Sequence, residues 1–173
     1  MNEDRQTSRG AFTLVELLMV ITVLIIAAAI VLPNIGSAGD AQAMSAARVV
    51  AADLEMARDL ALKTQRPHTV LFSNDEQSYK VVEDYGGESY ASADAIDHPV
   101  VEGRTFEVTL ARRNGMGGVA VAQVDFGGDG HVTFNELGEP SSAGSVTVEA
   151  GQAQMQVDVA GLTGSVSTTR VSN

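Results

Sequence analysis

Glu16 is the one charged residue in a long apolar stretch, residues 12–32. At about 1.5 Å of rise per residue, a helix over this stretch is about 31 Å long, which matches the hydrocarbon core of a bilayer. A carboxylate inside such a helix costs on the order of 2–3 kcal/mol unless it reaches water or a positive partner. Glu16 therefore either extends to the membrane interface or pairs with a positive charge in an assembled state.

Cleavage before Phe12 would create that positive charge as a new terminal amine. Residues 1–11 form a short polar leader, and Arg5, Arg9 and the initial amine favour a cytoplasmic position for it. The apolar stretch also exceeds the about 7–15 apolar residues of an ordinary secretory signal. A secretory signal is the alternative, with residues 41–43, Ala-Gln-Ala, as its cleavage site.

Acidic residues in the C-terminal half have a spacing close to that of a calcium-binding EF-hand loop. Asp125, Asp129 and Glu136 fall on the first, fifth and twelfth places of such a loop. The third place is Gly127, which offers no ligand, and the flanks have the pattern of strands where an EF-hand has helices. We therefore interpret residues 127–130 as a β-turn and keep calcium binding as the less favoured hypothesis.

The other residues with chemical potential indicate no catalytic centre. The absence of cysteine excludes disulfides and thiol chemistry, and His68, His98 and His131 have no metal-ligand spacing. No nucleophile-elbow or phosphate-binding motif is present. The net charge of -11 disfavours nucleic-acid binding, which needs basic residues against phosphates. We expect a protein that is not an enzyme, with no cofactor, no metal and no nucleic-acid partner.

Residues 9–17, Arg-Gly-Ala-Phe-Thr-Leu-Val-Glu-Leu, resemble the class III signal of type IV prepilins and type II secretion pseudopilins. In that family a prepilin peptidase cleaves before the phenylalanine and methylates the new amine, and the glutamate recruits the incoming subunit. The resemblance implies cleavage between Ala11 and Phe12, N-methylation of Phe12 and an assembly role for Glu16. Ala11 stands where the family usually has glycine, and it is still a small residue.

The elements that follow are a second helix and a series of strands. Pro33 should kink the chain, after which apolar residues at spacings of three and four predict an amphipathic helix over 41–64. Its predicted buried stripe is Ala43, Ala47, Val50, Leu54, Ala57 and Ala61. Arg66 and Pro67 should end this helix. Strands are predicted over 68–73, 78–83, 105–111, 119–126, 132–134, 145–149, 155–159 and 165–171, with an exposed loop over 85–100.

A long N-terminal helix followed by antiparallel strands is similar to the pilin architecture, so the expected fold class is α+β. Four segments are predicted: a leader peptide (1–11), a transmembrane helix (12–32), its amphipathic continuation (33–64) and a β-rich globular domain (65–173). The domain most resembles H-type minor pseudopilins, the GspH/FimT-like group. Three segments carry this likeness: 57–67, 132–140 and 161–166.

The resemblance implies a non-enzymatic minor pseudopilin of a type II secretion system. Its implied location is the bacterial inner membrane, with a cytoplasmic N-terminus and a periplasmic C-terminal domain. The implied partners are the prepilin peptidase and other pseudopilins or pilins, contacted through the N-terminal helix. The alternatives are a minor type IV pilin for motility, adhesion or DNA uptake, and an exported binding domain with a cleaved secretory signal.

Overall fold

The structure, a computed structural model, describes residues 13–31, 35–73, 75 and 78–171. It divides into two compact units, Met1–Ser37 and Ala38–Asn173. Ala11, Phe12 and Pro33 lie outside the described residues, so the predicted cleavage, methylation and kink stay predictions.

Helix α1, Leu14–Val31, belongs to the first unit. The large apolar side chains between Leu14 and Ile26 are exposed on it. Over the described ranges, no helix has both the length and the apolar character of a membrane span. The predicted span, 12–32, begins and ends on residues outside those ranges.

Helix α2, Ile35–Thr64, leads into the second unit. The predicted stripe is confirmed, because all six of its residues are fully buried. Alanine dominates the stripe, so the helix backbone can approach the sheets closely. The helix ends as predicted, since Gln65 takes a positive φ of 55° and Pro67 disfavours a helical residue before it.

The start of α2 differs from the prediction, because the helix begins at Ile35 and not at residue 41. Gly36 and Gly39 suggested an irregular segment, since glycine costs about 1 kcal/mol in a helix relative to alanine. Gly39 has a packing role instead: a Cβ at this position would lie 2.7 Å from the carbonyl oxygen of Ala150. The glycine lets the first turns of the helix pass close to a strand end.

The remaining chain forms two antiparallel four-stranded sheets. Sheet one has the strand order β3-β2-β1-β5, and sheet two has the order β4-β6-β7-β8. The strands are β1 (His68–Phe72), β2 (Ser78–Glu83), β3 (Glu107–Thr109), β4 (Val119–Asp125), β5 (His131–Phe134), β6 (Gly144–Ala150), β7 (Ala153–Val159) and β8 (Val166–Val171). The chain leaves sheet one after β3, returns to it for β5 and then completes sheet two.

One hydrophobic core joins α2 to both sheets. Its members alternate along the strands, since successive side chains of a strand point to opposite faces of the sheet. From sheet one it takes Val70, Tyr79 and Val132, and from sheet two Val121, Val148 and Val157, all at 2% exposure or less.

Two predictions for the region after β2 were wrong in part. The strand predicted over 105–111 is only Glu107–Thr109, followed by a short 3-10 helix, Leu110–Arg112. Phe106 instead donates its backbone N–H to Ile96. The loop 85–100 is not simply exposed, since Ala93 is buried with Leu71 and Val82. It covers part of the outer face of sheet one.

Candidate functional site

Glu16 lies in the first turn of α1, three residues after Thr13. Its backbone N–H donates to the hydroxyl oxygen of Thr13 at 3.3 Å and to the Thr13 carbonyl at 3.1 Å. A threonine that accepts a bond from the third helical N–H is an N-cap. The Thr-x-x-Glu spacing is that of a capping box. Thr13 was not among the predicted site residues, although this spacing is a sequence signal that could have identified it.

The bonds to Thr13 use only the backbone N–H of Glu16, so its carboxylate can still bind a partner. The residue is exposed, and it forms no ion pair with any part of the chain that the structure describes. The large apolar side chains that follow it from Leu17 to Ile26 are also exposed. The helix therefore presents one anionic group at the start of an apolar surface.

The acidic residues of the calcium hypothesis belong to two different turns. Asp125 accepts a bond from the Gly128 N–H at 2.9 Å, and Phe126 and Asp129 pair through their backbones. A β-turn is therefore present, at residues 126–129 and not at 127–130 as predicted, and it carries the chain from β4 of sheet two to β5 of sheet one. Glu136 follows β5, in the turn where Asn135 bonds Glu139. Across the described ranges no three acidic or histidine side chains converge as a metal site would require.

The three histidines have separate structural contacts. His68 is buried, with Nδ1 3.0 Å from the carbonyl oxygen of Arg66. His98 packs on the ring of Phe106, with ring centres 4.6 Å apart. His131 packs on Tyr85 in the same way at 5.1 Å.

Arg58 of α2 connects the three segments that carry the family likeness. Its Nε donates to the carbonyl oxygen of Gly138 at 3.1 Å. A Cβ at Gly164 would lie 2.5 Å from that same oxygen and 3.0 Å from the Arg58 side chain. Residues 57–67, 132–140 and 161–166 thus meet at one point of the second unit, which sequence spacing could not show.

A polar pair between α2 and sheet one was not predicted from the sequence. The hydroxyl of Tyr79 on β2 donates to Asp53 on α2 at 2.6 Å. Burial raises the pKa of Asp53, and the bond from Tyr79 and the charges of Arg113 and His98 oppose this rise. Burial also raises the pKa of Tyr79 well above its usual value, with the charge of Asp53 as a second cause. The bond between Tyr79 and Asp53 attaches α2 to sheet one, so we assign it a structural role.

Solved structures of a minor pseudopilin and of a type IV minor pilin have a similar fold. One solved structure of the minor pseudopilin EpsH of Vibrio cholerae superposes with a TM-score of 0.56 at 11% identity, covering 78% of this chain and 97% of that one. A second EpsH structure gives 0.54 at 12% identity, covering 75% and 97%. The type IV minor pilin FimU of Pseudomonas aeruginosa gives 0.53 at 14% identity, covering 73% and 87%. At these identities the likeness establishes the fold alone, and it confirms the expected α+β pilin-like architecture.

Sequence comparison establishes the family. No curated protein sequence matches the chain. The family model described as type II transport protein GspH matches residues 46–163, from the middle of α2 to the β7–β8 turn. This range includes Arg58, Gly138 and most of the core, and it confirms the predicted likeness to H-type pseudopilins. Since the match covers more than half of its length, the chain belongs to the GspH family of type II transport proteins.

Proposed function

We propose that this protein is a minor pseudopilin, a non-enzymatic subunit of the pseudopilus of a type II secretion system. The observation that carries the proposal is the GspH family match over residues 46–163. The Vibrio cholerae protein of the same fold is described as a minor pseudopilin from the type 2 secretion system. Helix α1, with its exposed apolar surface and Glu16, supplies the element such a subunit needs for assembly.

The proposed location is the bacterial inner membrane. Residues 12–32 insert into the bilayer, the N-terminus stays in the cytoplasm and the unit Ala38–Asn173 lies in the periplasm. The apolar surface of α1 and the two leader arginines support this orientation. Protease added to spheroplasts should degrade the C-terminal unit. Protection of that unit until the cells are lysed would contradict the orientation.

The proposed processing step is cleavage between Ala11 and Phe12 by a prepilin peptidase, followed by N-methylation of Phe12. The small side chain of Ala11 supports it. Intact-mass measurement of the membrane-extracted protein should give a chain that starts at Phe12 and carries one methyl group. A chain that starts at Met44 would instead support the secretory signal.

The proposed role of Glu16 is to pair with the methylated amine of a neighbouring subunit. Both groups lose water in the bilayer, and removing one partner of a buried ion pair typically costs about 3–5 kcal/mol. Glu16→Ala should therefore keep membrane insertion and processing but lose crosslinking to partner pseudopilins. Assembly of Glu16→Ala at the native level would contradict the role.

Two control variants separate this role from simpler ones. Thr13→Ala removes the cap oxygen at the helix start but keeps the carboxylate, so it should still assemble. A loss equal to that of Glu16→Ala would assign the effect to capping. Glu55→Ala removes an exposed carboxylate from α2 and should leave crosslinking to partner pseudopilins unchanged.

A minor type IV pilin is the second candidate, and the fold shared with FimU favours it. Deletion of the gene in its host separates the two. Loss of protein secretion with intact surface pili supports the pseudopilin, and loss of pili with intact secretion supports the pilin.

A further inference from the structure

A wide groove runs beside β3 at the edge of sheet one. Its volume is about 920 Å³, and it is open to solvent. Its walls come from β3, the loop before it, the 3-10 helix after it, and Asp75 and Ser78 at the turn that leads into β2. The charged and titratable residues of the lining are Arg104, Arg112, Arg113, His98, Asp75 and Glu107.

The three arginines of the groove form no ion pair with the residues that the structure describes, although the protein carries a net charge of -11 and the charge of Arg113 also acts on Asp53. Arg104, Arg112 and Arg113 are all exposed. Some other bases of the second unit are engaged, since Arg170 binds Asp40 at 2.9 Å and Lys80 donates to the Ala93 carbonyl at 3.0 Å, whereas the exposed Arg48 and Lys63 stand apart from each other on α2. The groove lining thus carries three arginines against two acidic residues, Asp75 and Glu107, which makes it a positive region on an acidic protein.

The groove also borders an open sheet edge. β3 is the terminal strand of sheet one, with β2 on its inner side. The preceding residues, 104–106, pair with 96–98, and this pairing stops where β3 begins. An edge strand offers backbone groups to which an extended segment can add.

We propose that this groove binds an extended acidic segment of a partner protein, which adds along β3 and presents carboxylates to Arg104, Arg112 and Arg113. Guanidinium groups bind carboxylates through two parallel hydrogen bonds, which suits the alternate side chains of a strand. Glu107 and Asp75 disfavour a continuous polyanion such as nucleic acid, because each would face a phosphate. A peptide with spaced carboxylates avoids them.

The test uses the full-length protein in uncharged detergent micelles. The probe is a fluorescent peptide of alternating threonine and glutamate, compared with threonine–glutamine and threonine–lysine peptides of equal length. Anisotropy should show binding of the glutamate peptide alone, weakening as salt rises. Arg104→Gln with Arg112→Gln should reduce its affinity about tenfold, since two partly exposed charge pairs contribute about 0.5–1 kcal/mol each. Arg113 is kept because its charge also acts on Asp53.

The matched control is Arg48→Gln with Lys63→Gln, which removes the same charge from exposed positions on α2 outside the groove. An equal loss in this control would overturn the proposal, because overall charge would then explain binding. Equal binding of the glutamine peptide, or tighter binding of polyphosphate, would also overturn it. Two further peptides test addition along β3: one is N-methylated at the odd-numbered backbone nitrogens and the other at the even-numbered ones. Binding should be lost for the peptide whose methyl groups replace the N–H groups that face β3. Undiminished binding of both N-methylated peptides would rule out addition along β3. Circular dichroism of each variant confirms that it is folded.

Discussion

Arg58 of α2 donates from Nε to the carbonyl oxygen of Gly138, 80 residues later in the chain, at 3.1 Å. Gly138 lies in the connection from β5 to β6, which passes from sheet one to sheet two. Gly164 lies in the turn from β7 to β8 and packs against the same oxygen. A single arginine thus holds the helix, the connection between the sheets and a turn of sheet two together.

The first prediction concerns Gly164, with Gly151 as its matched control. Both have a φ of 63°, which costs an alanine about 1–2 kcal/mol. They differ in space, because a Cβ at Gly151 would meet nothing within 4 Å and one at Gly164 would strike Gly138. Gly164→Ala should therefore destabilise the domain by about 1–3 kcal/mol more than Gly151→Ala. Equilibrium denaturation measures the free energy of unfolding of both variants. Equal losses would show that Gly138 and Arg58 can move away from the new Cβ at Gly164 without cost.

The second prediction concerns the start of α2. Glycine to alanine usually stabilises a helix by about 1 kcal/mol. Gly39→Ala should instead destabilise the protein, because the new Cβ would approach the Ala150 carbonyl to 2.7 Å. The control is the reverse exchange at the exposed Ala41 of the same helix. Ala41→Gly measures the difference in helix propensity between alanine and glycine and should cost about 1 kcal/mol. A higher thermal midpoint for Gly39→Ala would disprove the close approach.

The third prediction is a pH dependence that comes from Asp53. The folded protein holds the Asp53 proton more tightly than the unfolded chain does, because burial raises the pKa of Asp53 above 3.8. The wild type therefore loses stability as pH rises through this raised pKa. In Asp53→Asn the amide does not titrate, and its oxygen can still accept the bond from Tyr79. The stability of Asp53→Asn minus that of the wild type should grow from pH 3.8 upward and then level off.

Glu55→Gln is the control for this titration, since Glu55 is an exposed carboxylate on the same helix. A rise of the same size in Glu55→Gln would show that the pH dependence does not come from Asp53. A constant difference for Asp53→Asn would show that Asp53 has the same pKa in both states.

The fourth prediction concerns the turn that connects β4 to β5. Asp125→Ala removes the acceptor of the Gly128 N–H and should destabilise the domain by about 1 kcal/mol. Asp129→Asn should have a smaller effect, since Asp129 pairs with Phe126 through its backbone. Thermal unfolding should be the same in calcium chloride and in EDTA. A midpoint that calcium raises in the wild type but not in Asp125→Asn would revive the calcium hypothesis.

The sequence predicted those parts of the fold that depend on local periodicity. The stripe from Ala43 to Ala61 is visible without tertiary contacts, because one face of α2 is buried. In sheet one the alternation is weaker, since every residue of β1 is buried. Gly39 was misinterpreted because its reason lies in Ala150, in a strand far along the chain. Burial of Ala93 was missed for the same reason: the loop gains its apolar partners, Leu71 and Val82, only in the folded sheet.

The candidate sites divide in the same way. Glu16 stands out because its neighbours in sequence are apolar, and Thr13 could have been recognised from the capping-box spacing. The bond between Asp53 and Tyr79 joins a helix to a strand and has no local signature. The groove arginines could not be recognised from a sequence of net charge -11, since their grouping beside β3 is a property of the folded surface.

The alternation of the chain between the two sheets constrains the order in which the domain can fold. β1 pairs with β5, so His68 must find Phe134 after the chain has already contributed β4 to the other sheet. Such pairings between distant residues close long loops before they gain contacts, which slows folding. β4 in turn finds β6 only after the chain has passed through β5. Sheet one has all its strands once β5 has emerged, but a polypeptide of that length leaves β4 without its neighbour β6. Release of nearly the whole second unit must therefore precede its cooperative folding.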